Sequence, residues 1–471
     1  MSKKIPTSRA QRGAQLGKLV AGQVVRGTGV TLAMVRDTEE QRHARTERAL
    51  LNAAEDIVNV LGTMKGLAMK AGQLLSMFDL LSAFGSDAIP TRQRERFQQT
   101  LATLFDQSTH IPFAQMRTVI ETDFARPLGE VFAEFDEQPI GSASIGQVYR
   151  ARLTDGRAVA VKVQYPGIDV AIRADLKNLG LVIRMLRGVA PAISDHALLR
   201  ELTSHLAEET DYRIEAEHHR AIADIFRDHP FIRVPEIETP MCTARVLVTE
   251  LAEGVSFSEI AALPAVERDR AGEILVRFYM GSMVRERRFT GDPHPGNILL
   301  APDGKLVFLD FGLVKQMDET AVTFELDCAR AGAEYRGEDL RALMVDYGVL
   351  KQDSPFGASE CLRMLHEVSG WLLTDAEIRV SEDAGANALL AFLDPRRGYF
   401  EYWREEHAPA EHALARRVEW GTLALLGRLR ASGNWHRVGR EWFYGEPPRT
   451  ELGVLEHEWL AARPDVTHVP E

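Results

Sequence analysis

Apolar residues recur every three to four positions over residues 44–82, where Ile57, Val60, Leu61, Met64 and Leu67 fall on one stripe. That period predicts a helix, and Gly62 and Gly66, four apart, let another element pack close against it. Residues 92–106 and 112–124 read as two further helices. The pattern then changes. VFAEFDEQPI, GQVYRARL and RAVAVKVQY alternate and are rich in Val, Tyr and Phe, which predicts strands, with TDGR (154–157) as a turn between two of them. Helical periodicity returns over about 168–226, and RVLVTEL (245–251) predicts another strand. From about 256 onward most segments read as helical, apart from the apolar run after GDPHPGN and from KLVFLDF (305–311).

The order is therefore helices, a small β-rich lobe, then a larger helical lobe. It divides the chain into a basic segment at 1–43, a helical region at 44–130, a small lobe at 131–252 with a helical insert, and a large lobe with its extension at 253–471. A length of 471 residues agrees with more than one core. With 45% apolar and 26% charged residues the composition is that of a soluble globular protein, and no apolar run reaches the ~18 residues that cross a bilayer. MSKKIPTSRAQRG lacks the apolar core of a signal peptide. Cys242, Cys328 and Cys361 are scattered and odd in number, so they form no disulfide or metal pattern and predict a reducing, cytoplasmic setting.

Charge adds one asymmetry. The net charge is −12, yet residues 1–36 contain Lys3, Lys4, Arg9, Arg12, Lys18, Arg26 and Arg36 and no acid. An acidic body argues against nucleic acid as a partner. The basic head suits either plain solvation or peripheral contact with an anionic membrane or a lipid-like molecule.

The chemistry concentrates in Gly-Asp-Pro-His-Pro-Gly-Asn at 291–297. Two prolines and two glycines oppose both helix and strand. Asp292 precedes Asn297 by five residues, and Asn297 precedes Asp310 by thirteen; Asp310 opens Asp-Phe-Gly after an apolar strand. Protein kinases place a catalytic-loop Asp, a metal-binding Asn and the DFG Asp in this order. Nucleotide phosphates require a divalent cation, and Mg²⁺ takes hard oxygen ligands such as those of Asn297 and Asp310. Asp292 is then the carboxylate that approaches the attacking hydroxyl or water. A lone DFG or a Pro-Gly turn carries little; the three residues in order carry much more.

Upstream, Gly141, Ser142, Ala143, Ser144, Gly146 and Val148 form a partial match to the kinase phosphate loop, with Ala143 where the middle glycine stands. Alone this is a common Gly/Ser turn. It gains weight from Val159-Ala-Val-Lys162, fourteen residues after Val148, where Lys162 on a strand would neutralise nucleotide phosphates. Its acidic partner must come from a helix; Asp211 and Glu215 are spaced to share a helix face, although such runs are often solvated. The strand ending at Glu250 and the residues to Ala252 fit a hinge whose backbone groups bind adenine.

Together these residues resemble the AarF/UbiB family of atypical kinase-like proteins. Lys70-Ala-Gly72-Gln73 matches its K-x-G-Q motif, Glu209-Thr-Asp211 its E-x-D motif, Glu215 the ion-pair partner of the strand lysine, and DPHPGN its catalytic loop. The match runs from about residue 50 to 330. The resemblance implies an α+β, bilobal protein-kinase-like fold with a helical N-terminal extension. It also implies ATP (or ADP) and Mg²⁺ as cofactors, ATPase or small-molecule kinase activity, and a link to isoprenoid-quinone metabolism and lipid membranes. In such a fold the K-x-G-Q segment covers the active site. Lys70 would then pair with Glu209 and Asp211 or lie near the phosphates, acting as a gate. The chain departs from the family at Gly141, where an alanine is expected, and at Thr290-Gly291, which replaces His-Ala. No A-P-E motif follows DFG, and the C-terminus has no membrane-spanning pair. Two other readings stay open: a non-catalytic nucleotide-binding regulator, and a small-molecule phosphotransferase of the aminoglycoside-kinase type.

Overall fold

The computed structural model describes residues 111–143, 145–172, 210–393, 399 and 410–463. The basic head, the stripe at 44–82 with its K-x-G-Q motif, the helix at 92–106, Ser144 and Glu209 lie outside the described residues, as does much of the insert before residue 210.

The small lobe begins with α1 (Phe113–Phe124) and the one-turn α2 (Leu128–Val131). Three antiparallel strands follow: β1 (Phe132–Ala143), β2 (Gly146–Leu153) and β3 (Ala158–Gln164). The turn between β2 and β3 needs Gly156, whose φ of +93° suits a residue without a side chain, and Asp155 Oδ1 accepts from the Arg157 amide. Next come α3 (Tyr212–Ile225), β4 (Ile232–Arg233) and β5 (Val246–Glu250). β5 pairs with β3, so the sheet runs β1-β2-β3-β5.

Alternation in β3 sorts its side chains. Val159, Val161 and Val163 are buried against Met116, Val119 and Ile120 of α1, a burial that contributes roughly 1.5–3 kcal/mol per side chain. Lys162 therefore points to the opposite face. Helix α1, grouped from sequence with the N-terminal helices, packs into the small-lobe core.

In the large lobe, β6 (Val255–Ser256) and α4 (Phe257–Ile260) precede α5 (Ala265–Val276). α5 continues through a π-helical turn, Arg277–Gly281, into α6 (Ser282–Arg285). β7 (Arg288–Thr290), β8 (Ile298–Leu300), β9 (Leu306–Phe308) and β10 (Val314–Gln316) carry the loops of interest. Strands β4, β9, β8 and β6 form one sheet in that order, and β10 pairs with β7. The helices α7 (Glu319–Ala333), α8 (Gly337–Asp346) and α9 (Ala358–Leu373) come next, then β11 (Ile378–Arg379) and α10 (Ala384–Leu393). The chain closes with α11 (Ala410–Leu429), β12 (Ser432–Gly433), α12 (Trp435–Phe443) and α13 (Glu451–Ala461). The large lobe is thus less purely helical than its periodicity predicts. Strands of two or three residues are too short for alternation to register.

The extension is fastened by a buried ion network on the π-helical turn. Arg277, fully buried, reaches Glu273 Oε1, Glu441 Oε1 and Glu456 Oε2, each at 2.8 Å, and donates to Thr450 Oγ1 at 3.0 Å. Arg285 donates to the same Glu456. Burial alone would raise the Glu456 carboxyl, but Arg285, a hydrogen bond from His229 and Arg277 hold it well below the usual carboxylate range. Glu456→Gln should therefore lower stability by about 3–5 kcal/mol, as expected when one partner of a buried ion network is removed. Arg117→Gln, which breaks a partly exposed pair with Glu121, should leave the denaturant midpoint nearly unchanged. Equal effects in chemical denaturation would refute the anchoring role.

Candidate active site

Lys162 is held where three elements meet. On β3 it lies opposite Val148 of β2 and Leu247 of β5, so these side chains share the sheet face turned from α1. Its Nζ contacts Glu215 Oε1 at 2.6 Å and Asp310 Oδ2 at 3.3 Å, and it stands 5.1 Å from the centre of the Tyr212 ring. Burial would depress the ammonium; Asp310 and Glu215 outweigh it and hold the lysine charged well above its ordinary range.

Helix α3 supplies Glu215 because of how it starts. Asp211 is its N-cap, with its carboxylate accepting from the Arg213 amide and pairing with the Arg213 side chain. Asp211 and Glu215 therefore divide their work: Asp211 caps the helix, while Glu215, only 6% exposed, faces the lysine. One turn further, His219 Nε2 lies 2.7 Å from the Pro235 carbonyl, and its ring packs edge-on against Phe311 at 4.7 Å. Phe311 is fully buried. This contact joins α3 to the DFG triplet. Sequence reasoning missed His219; its only signal was a position four residues after Glu215 on the same helix face.

The two polar loops converge through the β8–β9 hairpin. Ile298 pairs with Phe308, and the Asn297 carbonyl accepts from the Leu309 amide at 3.0 Å, which sets Asn297 beside the strand end that delivers Asp310. Asp310 Oδ1 accepts from the Gly312 amide at 3.0 Å, leaving Oδ2 toward Lys162. Within the catalytic loop, His294 Nδ1 accepts from the Gly296 amide at 3.1 Å and so tightens the turn. A Cβ at Gly291 would stand 2.8 Å from the Leu313 side chain, which would have to shift, and the Gly291 amide donates to the Leu313 carbonyl. Asp292 is partly buried and its Oδ1 accepts from Arg417 at 3.2 Å.

The structure also locates the other expected residues. Gly141 and Ser142 lie within β1, paired with Val148 and Gln147, and Ala143 pairs with Gly146 across a tight hairpin. Strand pairing therefore extends through most of the expected phosphate-loop motif. Gly146 is essential to it, since a Cβ would meet the Val163 carbonyl oxygen at 2.2 Å. At the hinge, the Glu250 and Leu251 amides donate to Glu236 and Ala158 carbonyls, and Glu250 pairs with Arg233. Ala252 follows directly. Among the described residues, no cluster of three His, Cys, Asp or Glu side chains forms a metal site by itself. Asn297 and Asp310 suit Mg²⁺ bound chiefly through phosphate oxygens and water.

Residues 103–331 match the ABC1 atypical kinase-like domain. This match and the relatives that follow support the AarF/UbiB family of atypical kinase-like proteins for this chain. The rat protein atypical kinase COQ8B, mitochondrial, is 32% identical over 339 residues, which span 70% of this chain and 61% of that protein. The Drosophila melanogaster AarF domain-containing kinase 1 is 31% identical over 293 residues, 60% of this chain and 54% of the relative. The chain therefore spans little more than half the length of these relatives. Among solved structures, the erythromycin complex of Rv3197 from Mycobacterium tuberculosis has a TM-score of 0.60 at 29% identity, covering 84% of this chain and 97% of that one.

The ABC1 domain here has a kinase-like fold with a short segment after DFG. Between Gly312 and α7 lies only β10 and its flanks, pinned to β7 through Val314–Thr290, Lys315–Phe289 and Gln316–Arg288.

The His219–Phe311 contact gives the ABC1 domain a pH signature. Burial lowers the imidazole from 6.5 to about 4, so it is neutral in the fold while the unfolded chain takes up a proton below about 6.5. The unfolded state then binds more protons, and stability falls by roughly 1.4 kcal/mol per pH unit from this group as pH drops through that window. His219→Gln should flatten the fall in denaturant midpoint between about pH 6.5 and about pH 4. An unchanged slope would show that another group titrates there.

Proposed function

We propose that this chain binds a magnesium nucleotide between its lobes and hydrolyses it or transfers its terminal phosphoryl group to a small or lipid-like acceptor. The observation that carries this reading is Lys162 in simultaneous contact with Glu215 and Asp310. One charge held between carboxylates from both lobes is the arrangement that aligns phosphates in kinases. Val148 and the neighbouring Ala160 on the same sheet face would cover the base, while the hinge backbone near Glu250 and Ala252 would hold its edge.

Asn297 and Asp310 would hold Mg²⁺, which would screen the phosphate charge. Lys162, oriented by Glu215, would position the α and β phosphates. The backbone amides of the β1–β2 hairpin, from Gly141 to Gly146, would cap them. Asp292 would orient the attacking hydroxyl or water and accept its proton. The family likeness makes a quinone-precursor phenol the first acceptor class to test. The solved Mycobacterium relative is an erythromycin complex, so a macrolide is the second candidate ligand.

Two parts rest on sequence alone. Lys70, Gly72 and Gln73 would gate the site, and the basic head would bring it to an anionic surface, adding up to about 1 kcal/mol per basic residue near that surface. Among the described residues no helix is long and apolar enough to cross a membrane.

Asp310→Asn should abolish the Mg-dependent rise in melting temperature on adding ATP, because a metal-ligating charge is lost. Asp292→Asn should keep that rise and lower turnover by roughly a hundredfold or more, as for loss of a general base. An undiminished thermal shift in Asp310→Asn would sink the metal assignment.

A further inference from the structure

A cation from far along the chain contacts the Asp292 loop. Arg417 lies on α11, 125 residues after Asp292 and well beyond the end of the matched ABC1 region at residue 331. Its Nη2 donates to Asp292 Oδ1 at 3.2 Å, and both side chains are only 17% exposed. The contact is not incidental to helix packing. One turn later on the same helix face, Gly421 lies directly beneath Pro293, where a Cβ would stand 2.9 Å from the proline ring. Helix α11 therefore meets the loop twice, once by charge and once by close approach. Within the loop itself, the His294 imidazole is engaged with the Gly296 amide. Burial, Asp292 and Asp310 push the buried Tyr279 hydroxyl up, so it stays a neutral phenol and adds no second anion there.

We propose that Arg417 is a positioning residue for phosphoryl transfer, acting through Asp292. Held by one oxygen, the carboxylate keeps Oδ1 engaged and presents Oδ2 to the attacking hydroxyl or water. A carboxylate without this partner would rotate and lose that alignment. The C-terminal helix is then part of the catalytic apparatus, with Gly421 setting its distance from the loop. This inference rests on Asp292 being the base of the proposed reaction.

The test is steady-state ATP turnover of the full chain with Mg²⁺, together with MgADP affinity by calorimetry. Arg417→Gln should lower kcat roughly tenfold to a hundredfold, while KM for ATP and MgADP affinity stay within about twofold. Arg417→Lys, which keeps the charge but not the fork, should retain more activity than Arg417→Gln. Millimolar guanidinium ion should partly restore Arg417→Ala. In an Asp292→Asn background, Arg417→Gln should cost nothing further, because it acts through that carboxylate. Unchanged kcat in Arg417→Gln would overturn the role. So would parallel losses of kcat, nucleotide affinity and melting temperature that neither lysine nor guanidinium repairs, for these would mark a packing residue. An Asp292→Asn protein that turns over at the wild-type rate would instead remove Asp292 as base, and Arg417's role with it.

Discussion

The nucleotide site proposed for this chain depends on one ammonium group held between two carboxylates. Lys162 contacts Glu215 from the small lobe and Asp310 from the large one. Each contact is individually ordinary, but the three groups are mostly shielded from water, where charge interactions are less screened than at the surface. Satisfying Lys162 requires β3, α3 and the DFG strand end to be in register at once. The lobes are therefore joined at Lys162, where the proposed nucleotide site lies. The His219–Phe311 contact works in the same direction, fixing α3 and the DFG triplet through apolar packing.

The short segment after DFG has a matching consequence. In ordinary protein kinases a longer activation loop can be ordered by phosphorylation. Here β10 is already paired with β7, and Gly291 and Leu313 lie in contact, so the catalytic loop and DFG brace each other directly. The C-terminal helices add support from behind. Glu441 and Glu456 fasten α12 and α13 to the π-helical turn at Arg277, next to the buried Tyr279, while α11 reaches the loop through Arg417. Residues well downstream of the family domain thus reach both the π-helical turn and the Asp292 loop.

The sequence made the geometry of the candidate site legible where residue type and spacing are both constrained. Asp292, Asn297 and Asp310 were readable because a stiff Pro-Gly loop and an apolar strand flank them. Lys162 was readable because β3 alternates. Glu215 was only one of several acids on a charged helix start; Asp211 proved to be the cap, a distinction that depends on where the helix begins. His219, Arg417 and Tyr279 were not legible. Their importance comes from tertiary proximity across tens to more than a hundred residues, which no local period encodes. Of the short strands, β8 and β9 were legible as apolar runs, whereas β4, β6, β7, β10, β11 and β12 were missed: each is too short to show a period, and each exists because a neighbour supplies its hydrogen bonds. Lys70, Gly72, Gln73 and Glu209 lie outside the described residues, so their gate stands on the family resemblance.

The most direct test of the central claim is calorimetric titration of the full chain with ADP in the presence and absence of Mg²⁺, compared with Glu215→Gln. If the Lys162–Glu215–Asp310 arrangement is a preassembled nucleotide site, the wild type binds one nucleotide per chain in a Mg²⁺-dependent manner. Glu215→Gln should weaken that binding by roughly tenfold or more, the scale expected when a charge that orients a phosphate ligand is lost. Equal affinity in the wild type and Glu215→Gln, or no binding by a folded wild-type chain, would contradict the account.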